Sequence, residues 1–357
     1  MESQLSRPLQ FPDVAAPRPE APFFDSAQNA WVLSRYADVL AALRAPALHQ
    51  AGPKKEPARV REDVLSALSQ SKMSEWQEQI EPLADGIIAK LPPGGPVDLV
   101  SEVIQPWSRA VTNIVLGLDA TSGRKLAALQ PYLSAGSGDS PASQRPGRSF
   151  RSLSRAVQRR IANARLQRLL HRVHVRGAQS LFSGVSQTLP DFLANAWLAL
   201  LEHPFQLARL RAEPPLMPKA MEELLRYSGL VHTLVREAEQ TLELAGVTIL
   251  QGQRVTLKVA LANRDPEHFA DPNSLDITRQ NTGHLGLGAG PHSCVGALLV
   301  RMAAISATRA FADKMAGAEI VEPIVWRRGS TLDTPSFLRV RYQSEATRFS
   351  NLGLRPH

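Results

Sequence analysis

The chain has 357 residues, a formal net charge of +8 and 43% hydrophobic residues, enough for one large domain or two ordinary ones with a real core. No apolar run approaches the roughly 20 residues that span a bilayer. The segment from Met1 to Pro22 is polar and proline-rich and has no signal-peptide core. We therefore expect a soluble cytoplasmic protein without a membrane partner.

The first third of the chain is predicted to form one strand followed by helices. Residues 30–34 are predicted as a strand and residues 35–45 as a helix. A basic, proline-containing loop follows over 51–61, and helical spacing of apolar residues then covers 62–91 and 97–117.

A basic amphipathic helix is predicted over 150–176, after a Gly/Ser/Pro-rich linker over 134–147. No Asp or Glu occurs between Asp139 and Asp191, and ten arginines lie in that gap. The helix has three possible roles: a solvated face, a docking face for an acidic partner or an anionic substrate, or a nucleic-acid site. Nucleic acid is the least favoured, because only Phe150 could stack on a base there.

In the second half of the chain, the sequence predicts helices and short strands. Residues 181–201 are predicted as a mostly apolar helix that a His-Pro dipeptide ends at 203–204, and 216–227 as another helix. Two β runs are predicted, over 244–249 and 255–259. The pattern indicates an α+β protein that is mainly α with small β-sheets.

Cys294 is the only cysteine of the chain, and it lies in a glycine-rich loop before a predicted helix. The segment from Gly286 to Gly296 reads GLGAGPHSCVG. A lone thiol forms neither an intramolecular disulfide nor a multi-cysteine metal site. Glycines let the backbone approach a flat, bulky group, and the helix N-terminus is expected to stabilise a thiolate. Such a thiolate suits the axial position of a haem iron, and the alternative is a buried structural cysteine.

This loop resembles the haem-binding loop of the cytochrome P-450 family, Phe-Gly-x-Gly-x-His-x-Cys-x-Gly, with Leu287 in place of Phe. The matching positions are Gly288, Gly290, His292, Cys294 and Gly296. Glu223 and Arg226 match the family's Glu-x-x-Arg helix. The resemblance covers about 20–50 and 180–342. It implies a single cytochrome P-450-like domain over 23–342, with a flexible segment over 1–22 and a tail over 343–357.

The resemblance also implies a cofactor, haem b, and roles for individual residues. Cys294 would be the axial ligand of the iron, and His292 and Arg236 would contact the haem propionates. The alternatives are a satisfied buried histidine for His292 and a surface ion pair for Arg236. Glu223 and Arg226 would form a structural pair behind the haem loop. The loop residues expected to bind the cofactor are Leu287, Gly288, Gly290 and Gly296.

The chain departs from the family on the distal side, where an acid and an alcohol relay protons to reduced dioxygen. Gln187 and Thr188 fall on these two positions, and neutral glutamine has no proton to exchange. Thr188 is therefore the candidate relay residue, and the alternative is a hydroxyl bonded to a helix carbonyl. Pro190 also interrupts this helix.

Two further departures concern cofactor binding. The family's early His-x-x-x-Arg clamp falls on residues 61–66, which contain no histidine. Ser274 stands where the family has an arginine, and Arg264 and Arg279 are the candidates to replace it. Together these changes predict a more open, less tightly clamped haem.

Three functions follow from the resemblance. The first is a haem-thiolate monooxygenase or oxidase that tailors a small specialised metabolite with electrons from a ferredoxin or flavodoxin. An acidic carrier protein would dock at the basic 150–176 helix. The second is peroxide-driven oxidation or a non-oxygenating step such as dehydration, cyclisation or isomerisation. The third is a haem-containing recruitment or gas-sensing module.

Overall fold

The structure is a computed structural model. It describes residues 19–50, 61–62, 64–65, 68–92, 94–118, 184–280, 283–315, 317–327 and 332–342. The predicted linker over 134–147, the basic helix over 150–176 and the tail over 343–357 lie outside the described residues. Nearly all of the N-terminal segment and of the 51–61 loop lie outside them as well.

Helices make up about half of the described part of the chain. In chain order they are α1 (Tyr36–Arg44), α2 (Gln70–Ile88), α3 (Gln105–Leu116), α4 (Leu189–Glu202), α5 (Pro204–Ala212), α6 (Met217–Tyr227), α7 (Val259–Ala262) and α8 (Ala297–Lys314). Two π-helical segments, Leu99–Ile104 and Gly184–Thr188, lead into α3 and α4. Short 3₁₀ turns cover Pro214–Leu216 and Gly290–His292.

The strands are short and form four small sheets in the described residues. They are β1 (Phe23–Asp25), β2 (Ala30–Leu33), β3 (Leu48–Gln50), β4 (Pro96–Asp98), β5 (Thr233–Ala238), β6 (Leu242–Leu244), β7 (Val247–Ile249), β8 (Arg254–Lys258), β9 (Glu319–Ile320), β10 (Trp326–Arg327), β11 (Thr334–Pro335) and β12 (Arg339–Arg341). The largest sheet has the order β1-β2-β8-β5-β3, with β2 and β8 parallel. A second sheet has the order β4-β12-β9, and β6-β7 and β10-β11 are hairpins. The predicted α+β class is confirmed.

Helix α4 is at the centre of the main core. Every residue from Leu189 to Leu201 except Asp191 is buried, as expected for a helix that is apolar all round. Trp197 stacks on Phe311 of α8 with ring centroids 4.5 Å apart and donates to Thr308 at 3.2 Å. No helix among the described residues has the length and apolar character needed to cross a membrane.

Most predicted elements occur where they were expected. The strand over 30–34 and the helix over 35–45 correspond to β2 and α1. Within the helix predicted over 62–91, α2 covers Gln70–Ile88, and the described residues 62, 64 and 65 before it are helical as well. The 181–201 prediction corresponds to the second π-helical segment and α4, and the 216–227 prediction to α6.

Two predicted boundaries were wrong. The start of the 97–117 helix is a strand, β4, because its backbone pairs with β12 and the Asp98 carboxylate accepts the N–H of Val100. The run over 244–249 is two strands, because Ala245 and Gly246 have φ angles of 54° and 79° and form a tight hairpin turn.

Candidate functional site

The cysteine loop folds back on itself before α8 begins. The N–H of Cys294 donates to the carbonyl of Leu287 at 2.7 Å, and the N–H of Ser293 donates to Gly290 at 3.1 Å. The N–H of Gly288 donates to Leu285 at 2.8 Å. These bonds bring the predicted loop residues, from Leu287 to Gly296, into one compact turn around the cysteine.

Two glycines of this loop are required by close contacts within the chain. Gly290 has a φ of 68°, and a Cβ on it would lie 2.7 Å from the carbonyl oxygen of Leu43. A Cβ on Gly286 would lie 2.7 Å from the carbonyl oxygen of Leu225. The loop is therefore pressed between the ends of α1 and α6. A Cβ on Gly296 would meet nothing within 4 Å, so internal packing does not require that glycine, whereas close approach of a flat group would.

The thiol of Cys294 is less acidic than the sequence predicted. Burial raises its pKa, and the amide of Gly296 and the guanidinium groups of Arg61 and Arg301 lower it without overcoming that effect. The amide at the helix start does stabilise the thiolate as expected, but desolvation outweighs this effect in the free thiol. Coordination to a metal ion would deprotonate the thiol outright.

A cluster of cationic side chains lies beside the loop. Arg236 on β5 is buried, its Nε has no hydrogen-bond partner among the described residues, and its Nη1 donates to the carbonyl of Val235 at 3.2 Å. Burial lowers the pKa of Arg236. Burial also lowers the pKa of His292, and the nearby charges of Arg236, Arg61 and His49 lower it further.

This cationic cluster, formed by Arg61, Arg236 and His292, fits the cofactor expected from the sequence. Of its members only Arg236 is buried, and a buried positive charge is costly unless an anion accompanies it. A flat group with two carboxylates at one edge supplies two such anions, and arginine binds carboxylates through strong charge-assisted bonds. The donors of the site are thus one thiol on a glycine loop, with two arginines and one imidazole beside it, which suits haem.

Arg61 is a site residue that sequence reasoning missed. Its Nη1 donates to the carbonyl of Ser293 at 2.6 Å, and its Nη2 donates to Oγ of Ser293 at 2.9 Å. Residues 61–66 lack the family's clamp histidine, and the sequence analysis assigned no role to the arginine with which that stretch begins.

The Glu-x-x-Arg pair forms a fully buried ion pair on α6. Nε of Arg226 lies 2.7 Å from Oε2 of Glu223, and its Nη2 donates to Oε1 at 2.8 Å. Arg226 also donates to the carbonyls of Asn263 and Pro272. The pair therefore fixes the segment that follows α7.

Arg279 fills the position left open at Ser274. Its Nε lies 3.1 Å from Oε2 of Glu223, and its other nitrogens donate to the carbonyls of Ala270 and Asp271. Arg264, the other candidate, donates instead to the carbonyl of Tyr227 at 3.0 Å.

Gln187 and Thr188 end the π-helical segment that precedes α4, and both are half-buried. Ser108 on α3 donates to the carbonyl of Val185 at 2.9 Å, so that carbonyl has a partner outside its own helix. Asp191 is the next carboxylate along the chain, one turn later, and its Oδ1 accepts a bond from Arg327 at 2.6 Å. The predicted relay pair thus lies at a helical irregularity.

Comparisons with known proteins agree with this arrangement. Residues 207–305 match the family model described as Cytochrome P450. The vitamin D(3) 25-hydroxylase of Pseudonocardia autotrophica is 30% identical over 344 residues, which cover 84% of this chain and 85% of that protein. The 6-deoxyerythronolide B hydroxylase of Saccharopolyspora erythraea is 39% identical over 145 residues, which cover 40% of this chain and 36% of that protein. In the shorter match the chain therefore spans about a third of the relative's length.

A solved structure shares the fold over most of the chain. The structure of the versatile cytochrome P450 enzyme CYP109B1 from Bacillus subtilis superposes with a TM-score of 0.80 at 25% identity. The superposition covers 90% of this chain and 95% of that one.

Proposed function

Because this chain belongs to the cytochrome P450 family, we propose that it is a monooxygenase that hydroxylates a small specialised metabolite. Membership makes it an oxidoreductase with haem b, iron protoporphyrin IX, as its cofactor. The observation that carries the proposal is the cationic cluster of Arg61, Arg236 and His292 beside the cysteine loop. When bound, the haem would activate oxygen for insertion into a C–H bond. The two relatives named above are both hydroxylases by name.

Each loop residue has a separate task in this proposal. Cys294 would supply the sulfur ligand of the iron, and the N–H of Gly296, which bonds to that sulfur, would temper its negative charge. Arg61, Arg236 and His292 would bind the two carboxylates of the haem. Gly296 would leave room for the flat face of the group, Gly290 lets the loop pack against α1, and Leu287 would contribute an apolar surface.

On the distal side, Thr188 would position water and donate its hydroxyl proton, while Gln187 can donate a hydrogen bond but cannot exchange a proton at neutral pH. This difference favours a second candidate, in which the enzyme uses peroxide or catalyses a non-oxygenating rearrangement. The variant Gln187→Glu separates the two. A large gain in reductase-driven turnover favours the monooxygenase, and an unchanged rate favours the second candidate.

The partners belong to the proposal as well. A ferredoxin or flavodoxin would donate electrons from the cysteine side of the molecule, and a small molecule would be the substrate. The ten arginines before Asp191 support docking of an acidic carrier protein at 150–176. Reversal of Arg155, Arg159 and Arg160 to glutamate should weaken binding of such a carrier, and unchanged affinity would remove it from the proposal.

The first experiment is an absorption spectrum of the reduced protein with carbon monoxide, followed by turnover assays with peroxide or with an electron-donor pair. A red-shifted Soret band in the wild type and its loss in Cys294→Ser are expected. A histidine-type band, or no haem, would contradict the proposed role of Cys294 and favour a recruitment or sensing module. Turnover with the donor pair supports the monooxygenase, and turnover with peroxide alone supports the second candidate.

A further inference from the structure

A carboxylate on α6 binds two different segments that flank the cysteine loop. Oε1 of Glu222 lies 2.6 Å from Nε of Arg301 on α8, and Oε2 accepts from Nη2 of the same arginine at 2.9 Å. Oε2 also lies 3.2 Å from Nε2 of His284, just before the loop. Glu222 thus faces the loop, whereas its neighbour Glu223 faces the buried arginines on the other side.

The histidine transmits this contact to the loop backbone. The N–H of Gly286 donates to Nδ1 of His284 at 3.1 Å, so Nδ1 carries no proton and the proton of the neutral ring is on Nε2. That proton is donated to Glu222. The carbonyl of Leu287, the residue after Gly286, accepts the N–H of Cys294 at 2.7 Å. Three hydrogen bonds therefore connect Glu222 to the amide of the cysteine.

Glu222 also acts on the cysteine through Arg301. Arg301 lies two helical turns after Cys294, and its positive charge favours the anionic form of that sulfur. Glu222 fixes the position of this cation and balances its charge. Burial acts to raise the pKa of Glu222, but the bonds from Arg301 and His284 bring it to about 2, so the carboxylate is charged at neutral pH.

We propose that Glu222 is a positioning residue that sets the geometry and the electron donation of the Cys294 sulfur. The inference rests on the proposed role of Cys294 as the axial ligand. Without the carboxylate, His284 loses the acceptor that orients its ring, and Gly286 and Leu287 lose part of their support. Arg301 then presents an unbalanced positive charge to the thiolate.

The test is Glu222→Gln in the haem-loaded protein. Glutamine keeps the shape but removes the charge and offers one acceptor oxygen to donors on two residues. Hydrogen exchange at the amides of Gly286 and Cys294 should become about tenfold faster, as expected for loss of a bond to a charged group. The reduction potential should rise, because net positive charge near the sulfur favours the reduced state. The reduced carbon monoxide complex should keep the band of a thiolate ligand, because the same positive charge favours the anionic sulfur.

The matched control is Glu81→Gln. Glu81, on α2, pairs with Arg309, which lies on α8 as Arg301 does. Oε1 of Glu81 is 3.1 Å from Nη1 of Arg309, and both side chains are about half exposed. It has no contact with the loop among the described residues. Hydrogen exchange at the loop amides, the reduction potential and the carbon monoxide band should therefore remain at wild-type values. Glu222→Asp keeps the charge and should restore most of the potential.

A further variant, His284→Ala, removes only the hydrogen bonds that connect Glu222 to the loop backbone. It should speed exchange at Gly286 and leave the potential nearly unchanged, and it serves as the test if Glu222→Gln does not fold. Wild-type exchange and potential in a folded Glu222→Gln protein would overturn the proposal. If the wild type itself lacks the thiolate band, the role of Cys294 fails, and the exchange data alone then decide whether Glu222 holds the loop.

Discussion

Arg279 and Glu223 are in direct contact, with Nε of the arginine 3.1 Å from Oε2 of the carboxylate, although 56 residues separate them in the chain. Arg226 binds the same carboxylate at 2.7 Å. One fully buried anion therefore balances two cations, and both arginines also bind backbone carbonyls between Asn263 and Ser274. This group of contacts fixes the chain that leads into the cysteine loop.

Replacement of Glu223 by glutamine should therefore be severe. Two guanidinium groups would lose their anion in a buried site, and the free energy of unfolding should fall by about 3–5 kcal/mol. Urea denaturation at neutral pH measures the change. Glu213→Gln, which removes the half-exposed partner of Arg209, should cost less than about 1 kcal/mol. Equal losses in the two variants would contradict the structural role of the buried pair.

The glycine at 290 should tolerate no side chain. In Gly290→Ala the new Cβ would meet the carbonyl oxygen of Leu43 at 2.7 Å and the Cα of Arg44 at 2.9 Å, in addition to the strain of a φ of 68°. Gly252→Ala is the control, because its φ is 81° and nothing lies within 4 Å. The control should lose about 1–3 kcal/mol through strain alone. Thermal unfolding should show a clearly larger loss for Gly290→Ala, and similar melting temperatures would refute the close contact with α1.

Arg61 should contribute to cofactor retention. In Arg61→Gln the carbonyl and hydroxyl of Ser293 lose two charged donors, and the cationic cluster loses one charge. We expect haem transfer to an acceptor protein to become roughly tenfold faster. Arg209→Gln, at a half-exposed helix pair, should transfer haem at the wild-type rate. An unchanged rate in Arg61→Gln would remove Arg61 from the site.

The contribution of Glu222 to stability should depend on pH in a defined window. Its pKa is lowered from 4.5 to about 2 in the folded protein, so its stabilising effect is fully present above pH 4.5 and is lost as the pH falls towards 2. The difference in unfolding free energy between the wild type and Glu222→Gln should be about 2 kcal/mol at neutral pH and should shrink through this window. Denaturant titrations at several pH values would measure it, and a difference independent of pH would contradict the low pKa.

Most of the site residues that the sequence predicted are contiguous in the chain, and Arg236 was added through the family resemblance. Cys294, His292 and the loop glycines lie within a few residues of one another, and backbone bonds within that segment determine most of its shape. Arg61 was missed because it reaches Ser293 across 232 residues. The contacts of Glu222 with His284 and Arg301 were missed for the same reason, since these residues come close to it only after α6 and α8 have packed.

Two errors in the sequence-based predictions have identifiable causes. The hairpin of β6 and β7 was predicted as one run because its turn, Ala245-Gly246, lacks the Asn or Asp that usually marks such turns. The acidity of Cys294 was overestimated because the sequence indicates the helix end and the nearby charges but not the depth of burial. The turn conformation and the acidity of the thiol both depend on three-dimensional packing, which residue types alone do not determine.

The pairing of early with late strands determines when this protein can finish folding during its synthesis. Strand β4 forms its sheet with β12, Asp98 opposite Arg339, and β2 lies beside β8, Ala30 opposite Arg254. Contacts of such long sequence separation form slowly. On the ribosome, the edge of β4 stays without its partner until residues 339–341 emerge, so the nascent chain carries an open strand edge over more than 230 further residues of synthesis. Strand β12, the last strand of the described residues, thus removes an aggregation hazard that β4 creates.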